Sequence, residues 1–197
     1  MIALTAVVLV AGAGILYWTL GPPRHAPGQP SASVSDPAPS ALAPSPVADP
    51  EQTLSRAWKK ARAWRTEAAL VDLRIEGVTA GRLAENATWV ATFAEPTGRM
   101  GPGAAVGKGR FIVTARADQL QTREESSGDA ALAAPDPDCP VASAWRAAVA
   151  SGLASSIPLQ LGYRYSKTRN RAIWTARAVG NEEQRELDGA SCNILAR

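Results

Sequence analysis

A single histidine, His25, stands in the 197 residues, which leaves little room for Ser-His-Asp, Cys-His or multi-histidine metal chemistry. Cysteine is almost as scarce, with Cys139 and Cys192 the only two. Neither has a histidine partner in the part of the chain expected to fold, so a cysteine nucleophile is not expected. The charge balance is equally restrained. Twenty-one Lys+Arg against 18 Asp+Glu give a net charge of +3, too mild an excess to mark a nucleic-acid footprint by itself.

Charge is absent altogether from residues 2–20, an apolar run of about the length a helix needs to cross ~30 Å of hydrocarbon. No cationic segment precedes it, no A-x-A-like cleavage site follows it, and it holds no cysteine for lipidation. It is therefore expected to be a retained transmembrane anchor, with Tyr17 and Trp18 at the interface. Residues 21–48 are dense in Pro, Ala and Ser and lack large apolar groups. Such a segment cannot bury enough surface to fold, and it reads as a spacer reaching ~30 to ~90 Å. His25 lies inside it, without fixed neighbours. The tether and the cysteine pair favour an exported C-terminal part on a single-pass inner-membrane protein, although the flanking charges say little about orientation.

The folded part is expected at residues 49–197 and carries an apparent duplication. "DPEQTLSRAW" at 49–58 matches "DPDCPVASAW" at 136–145, and "NATW" ending at Trp89 parallels "NRAIW" ending at Trp174. In the first copy Asp49 can cap a helix with Pro50 in its first turn, and Leu54, Ala57, Trp58 and Ala61 recur at helical spacing. "LVDLRIEG" then alternates apolar and charged residues at the period of a half-buried strand. "ATWVATFAEP" and "RFIVTARA" supply two more strands. The second copy offers a helix near 140–151, stopped by Gly152, and strands "LQLGYRYS", "RAIWTARAV" and "ASCNILA". The expected fold is α+β, with two helix-plus-three-strand units (49–125 and 136–197) of antiparallel sheet with helices packed on it.

This element order, together with "TWVATFAEP", "GKGRFIVTARADQL" and the repeat itself, resembles the tandem PepSY-like modules of bacterial envelope proteins. The resemblance covers residues 49–197. It implies a non-catalytic periplasmic module that binds or restrains a partner protein.

The stretch "GRMGPGAAVGKGR" at 98–110 holds five glycines and three cations. It fails the phosphate-loop pattern, which needs a glycine where Pro102 stands and a hydroxyl where Gly109 stands, and it leads into a strand instead of a helix. A long, mobile hairpin connection is expected, from which Arg99, Lys108 and Arg110 could touch an acidic partner. Cys139 and Cys192 are expected to pair in an oxidising compartment. Arg164, Lys167, Arg169 and Arg171 crowd a predicted hairpin tip in "YRYSKTRNR", next to Tyr163 and Tyr165. The carboxylates of "REESSGD" and "NEEQRE" look like exposed turns without a metal-ligand set. Asn86-Ala87-Thr88 fits the glycosylation pattern in another predicted turn. Trp58, Trp89, Trp145 and Trp174 hold paired positions and are expected in the core. Trp64 has no counterpart and is the tryptophan expected at an interface.

Taken together, these features describe a membrane-anchored extracytoplasmic module that binds an envelope protein as an assembly factor, inhibitor or regulator. No metal or other cofactor is called for. Neither nucleic acid nor a small-molecule substrate is an expected partner. The rival reading is a binder of an anionic polymer, either cell-wall polymer or nucleic acid, working through the basic hairpin at 163–171. A hydrolase would need two carboxylates converging in a pocket.

Overall fold

The computed structural model describes residues 49–116 and 119–196. The expected anchor at 1–20 and the linker at 21–48 lie outside the described residues. Among the described residues no helix is long and apolar enough to cross a membrane.

Helix α1 (Pro50–Trp64) starts as its sequence dictates: Asp49 Oδ1 accepts the backbone N–H of Glu51 at 2.9 Å, and Pro50 occupies the first turn. Ala57 and Ala61 are fully buried, and their small side chains let the helix lie close on the sheet. Lys59, Lys60 and Arg62 point to solvent. Helix α2 (Val141–Ala150) has no capping side chain of its own. Glu51 of α1 takes that role, its Oε1 accepting the Val141 N–H at 3.0 Å and joining the two helix starts.

The strands are β1 (Ala69–Thr79), β2 (Arg82–Ala94), β3 (Arg110–Arg116), β4 (Gln119–Glu125), β5 (Leu159–Ser166), β6 (Arg171–Ala178) and β7 (Gln184–Asp188). All neighbours are antiparallel, in the order β4-β3-β2-β1-β5-β6-β7. The β1–β2 hairpin closes through Ala80 and Gly81, both at positive φ, the two-residue turn whose twist matches the flanking strands. Gly77, at φ 82°, sits where the register slips between Glu76 and Val78.

The expectation of two helix-plus-three-strand units is corrected by this topology. There is one continuous seven-stranded sheet, with four strands after α1 and three after α2. Edge pairing explains the merger. β1 and β5 satisfy each other's backbone groups, where separate units would leave both ladders open. Two strand assignments change as well. "QLQTREE" is β4, and the last strand is Gln184–Asp188, a stretch read as a turn, whereas "ASCNILA" contributes only an isolated bridge between Leu187 and Ile194.

One face of the sheet packs against the helices. Leu73, Ile75, Trp89, Phe93, Val113, Leu161, Tyr163, Trp174 and Leu187 are all buried there. Trp58 meets Phe93 edge-on at 4.8 Å, and the Trp174 indole donates to the Cys139 carbonyl at 3.0 Å. Trp58 and Trp145 are only half-buried, at the margin of this core. The Cys139–Cys192 disulfide is formed and ties the entry of α2 to the C-terminal segment.

Candidate binding cleft on the open face of the sheet

Alternation along each strand sends the polar set to the face opposite the helices. The antiparallel register aligns these side chains into rows across the strands. One row runs Arg123, Ile112, Thr92, Asp72, Arg164, Ile173, Asp188, from β4 to β7. Its middle is the floor of a cleft of ≈ 800 Å³. One wall is the strap at 127–132, and the other is the β5–β6 hairpin tip with Ser166, Lys167 and Thr168.

The strap is anchored by a buried cation. Arg110, 5% exposed, donates to the carbonyls of Gly107 and Asp129 and to that of Gly109 at 3.1 Å. Farther along, Gly103 N donates to the Ala133 carbonyl, Ala133 N to the Ala104 carbonyl (both 2.8 Å), and Ala134 N to the Leu70 carbonyl (2.7 Å). The glycine-rich stretch therefore joins two strands, as a hairpin connection does, but its backbone is pinned to the strap and to residues 95–97 just after β2.

At the centre of the floor Asp72 accepts Arg74 Nε at 2.8 Å and lies directly across from Arg164. Burial pushes its carboxyl above the usual carboxylate range, partly offset by the charges of Arg74 and Arg164. The carboxylate is thus bonded to Arg74 and lies in the field of Arg164 in a half-dry setting, a site suited to polar recognition.

Of the residues singled out in the sequence, Arg164 and Lys167 line the cleft, as does Arg110, whose guanidinium is already spent on carbonyls. Arg169 and Arg171 are engaged by the protein itself. Arg169 donates to Glu186 at 3.2 Å and to the Ala196 carbonyl at 2.7 Å, and Arg171 to Asp188 at 2.9 Å. Arg99 and Lys108 are exposed on the glycine-rich loop, outside the cleft lining. Trp64 is not bare: it stacks on Phe111 at 5.3 Å and carries Arg65 over its ring.

In the carboxylate-rich stretches Glu125 pairs with Arg123 and Glu183 with Arg185. Among the described residues no group of three His, Cys, Asp or Glu could hold a metal ion. Asn86 lies within β2 and not in a turn. Asp72, Thr92 and Ile112 went unmarked as site residues, although alternation in "VDLRI" already put Asp72 and Arg74 on the polar face.

No family model matches the chain, and no curated protein matches it. Among solved structures it is similar to a protein of Clostridium difficile 630 described as a lipoprotein, with 11% identity, a TM-score of 0.48, and coverage of 73% of this chain and 90% of that one.

Proposed function

We propose that the chain is a non-catalytic, membrane-anchored extracytoplasmic module that holds a partner protein in the cleft on the open face of its sheet. The cleft carries the reading: a rigid, polar floor built on paired strands, with Asp72 and Arg164 at its centre and Ile112 and Leu132 in its lining. Charged groups with apolar neighbours suit a mixed peptide surface. The disulfide supports an oxidising compartment, in keeping with the tether and apolar N-terminus. No cofactor enters this function. A role as an assembly factor, inhibitor or regulator accords with the binding or restraining of a partner that the PepSY-like resemblance implies.

The anionic-polymer alternative is weakened by the ion pairs of Arg169 and Arg171, which leave only Arg164 and Lys167 of the basic hairpin for a polyanion. Partner binding is tested by placing a photo-crosslinking residue at Thr92 in the cleft floor, and separately at exposed Arg146 on α2, in cells. The expected result is a protein adduct from position 92 only, lost when Arg164→Gln is added. Equal adducts from both positions, or none, would sink the proposal.

A further inference from the structure

A second cavity lies where the start of β6, the end of β7 and the segment leading into α2 meet. Its volume is ≈ 270 Å³, room for the head of one side chain and below the range of drug-sized ligands. Tyr163, Tyr165 and Pro135 give it apolar walls, and Asp136, Asp138 and Asp188 bring three carboxylates. Tyr165 is fixed in place: its hydroxyl donates to Asn170 Oδ1 at 2.9 Å, and its ring fills the space that Gly103 leaves by lacking a Cβ. The one cation of the lining, Arg171, is committed to Asp188 at 2.9 Å, and Asp188 also accepts the N–H groups of Ala190 and Ser191. Among the described residues Asp136 and Asp138 form no ion pair. Burial raises the Asp136 carboxyl and the charge of Asp138 adds to this, against a partial offset from the Trp58 indole and Arg62.

Tyr163 supplies the second, independent sign of a ligand. It is 1% exposed, and among the described residues nothing hydrogen-bonds its hydroxyl. Burial, and then the charges of Asp138, Asp136 and Asp188, keep the phenol protonated, which sets the hydroxyl end of the ring toward the carboxylates of the cavity. A buried hydroxyl without a partner is costly, and a bound donor removes the cost. We infer that this cavity binds a primary alkylammonium, the group in which a lysine side chain ends. Its three N–H donors meet the Tyr163 oxygen and the Asp136 and Asp138 carboxylates, its charge relieves the repulsion between those two, and its stem lies along Tyr165 and Pro135. The cation is organic, because among the described residues no group of three His, Cys, Asp or Glu could hold a metal ion. Tyr165 also lines the cleft on the open face, so a partner held there can supply the lysine. That source rests on the proposed function, whereas the ammonium site does not.

Titration of the full chain, carbon-13-labelled at tyrosine and held in detergent, with n-butylammonium chloride tests the site by NMR. Saturable shifts of the Tyr163 and Tyr165 rings are expected, absent with sodium chloride and with n-butanol. Asp138→Asn should weaken binding about fivefold and Tyr163→Phe about tenfold. Tyr163→Phe should also leave the urea midpoint unchanged or raise it, since the hydroxyl it removes has no partner in the protein. Equal responses to n-butanol or sodium, binding indifferent to both substitutions, or a lower midpoint for Tyr163→Phe would overturn the inference. The source is read from the crosslink at position 92. A weaker adduct with Asp138→Asn assigns the ammonium to a partner's lysine, and an unchanged adduct beside intact n-butylammonium binding assigns it to a free amine. Absence of any adduct in the parent counts against the cleft and leaves the ammonium site standing.

Discussion

Asp72 and Arg164 face each other on β1 and β5, at the seam where the strands that follow the two helices meet. Arg74 holds the same carboxylate at 2.8 Å, so Arg164 remains the partner that can turn toward a ligand. Arg164→Gln should therefore abolish partner capture through the cleft while changing stability by less than about 1 kcal/mol, as expected for an exposed side chain. Loss of capture with an unchanged urea midpoint is the measurement that separates binding from folding.

The same row contains two carboxylates with opposite pH behaviour. Burial raises Asp72 above its ordinary value of 3.8, so the folded state binds its proton more tightly than the unfolded state, and this group's contribution to stability declines as pH rises through that region. Asp188 is lowered to about 2, first by the Ser191 N–H and then by Arg171, so its contribution is present above its ordinary value of 3.8 and is lost as pH falls to about 2. Asp188→Asn should cost about 1 kcal/mol at pH 7 and nothing near pH 2. Asp72→Asn should flatten the opposite slope, with little change at neutral pH. Urea unfolding between pH 2 and 7 reads both.

The sequence made much of this arrangement visible. α1, β1, β5 and β6 announced themselves because each has an apolar face with a clear period. Their neighbours β4 and β7 did not, since "QLQTREE" contains one apolar residue and "QRELD" another, Leu187. Those strands are specified by hairpin pairing with β3 and β6, backbone contacts that no apolar period encodes. The same limit hid the fate of the basic hairpin. Arg169 and Arg171 meet Glu186 and Asp188 only because β6 and β7 pair in that register, seventeen residues apart. The contact of Trp64 with Phe111, which reaches it from β3, is hidden from the sequence for a similar reason. The cysteine pair was legible because so few pairings were possible.

Removing the disulfide with Cys139→Ser and Cys192→Ser should destabilise the domain by about 4 kcal/mol in the chain-entropy model, given a sequence separation of 53. The loss should be local first. Protection of the Leu195 and Asp188 amides against hydrogen exchange should fall toward that of free chain, because their partners Glu186 and Asn193 lie where the released segment crosses β7. Unchanged protection at both amides would show that the terminal segment needs no staple.

Arg110 should matter more to the strap than to any ligand. Arg110→Ala strips hydrogen bonds from the carbonyls of Gly107 and Asp129 and is expected to cost about 2–3 kcal/mol. Arg110→Lys should recover only part of that, because a single ammonium lacks the planar fork that spans both carbonyls. Denaturant titration gives the energies, and faster exchange of the Ala133 amide would report release of the strap.

Gly189 offers the sharpest packing test, because its limit is space instead of backbone angle. A Cβ there would lie 2.8 Å from the Ala172 carbonyl oxygen and 2.8 Å from Tyr163 Cε2. The oxygen cannot retreat freely, since it already accepts Gly189 N at 3.0 Å, and the Tyr163 ring is held against Trp174 at 4.9 Å. Gly189→Ala must then displace β6 or part the two rings, and a loss of about 2–3 kcal/mol is expected. Gly109→Ala meets nothing within 4 Å and should change stability by less than about 0.5 kcal/mol. Equal urea midpoints for the two variants would mean that the junction of β6, β7 and the α2 entry is looser than its contacts require.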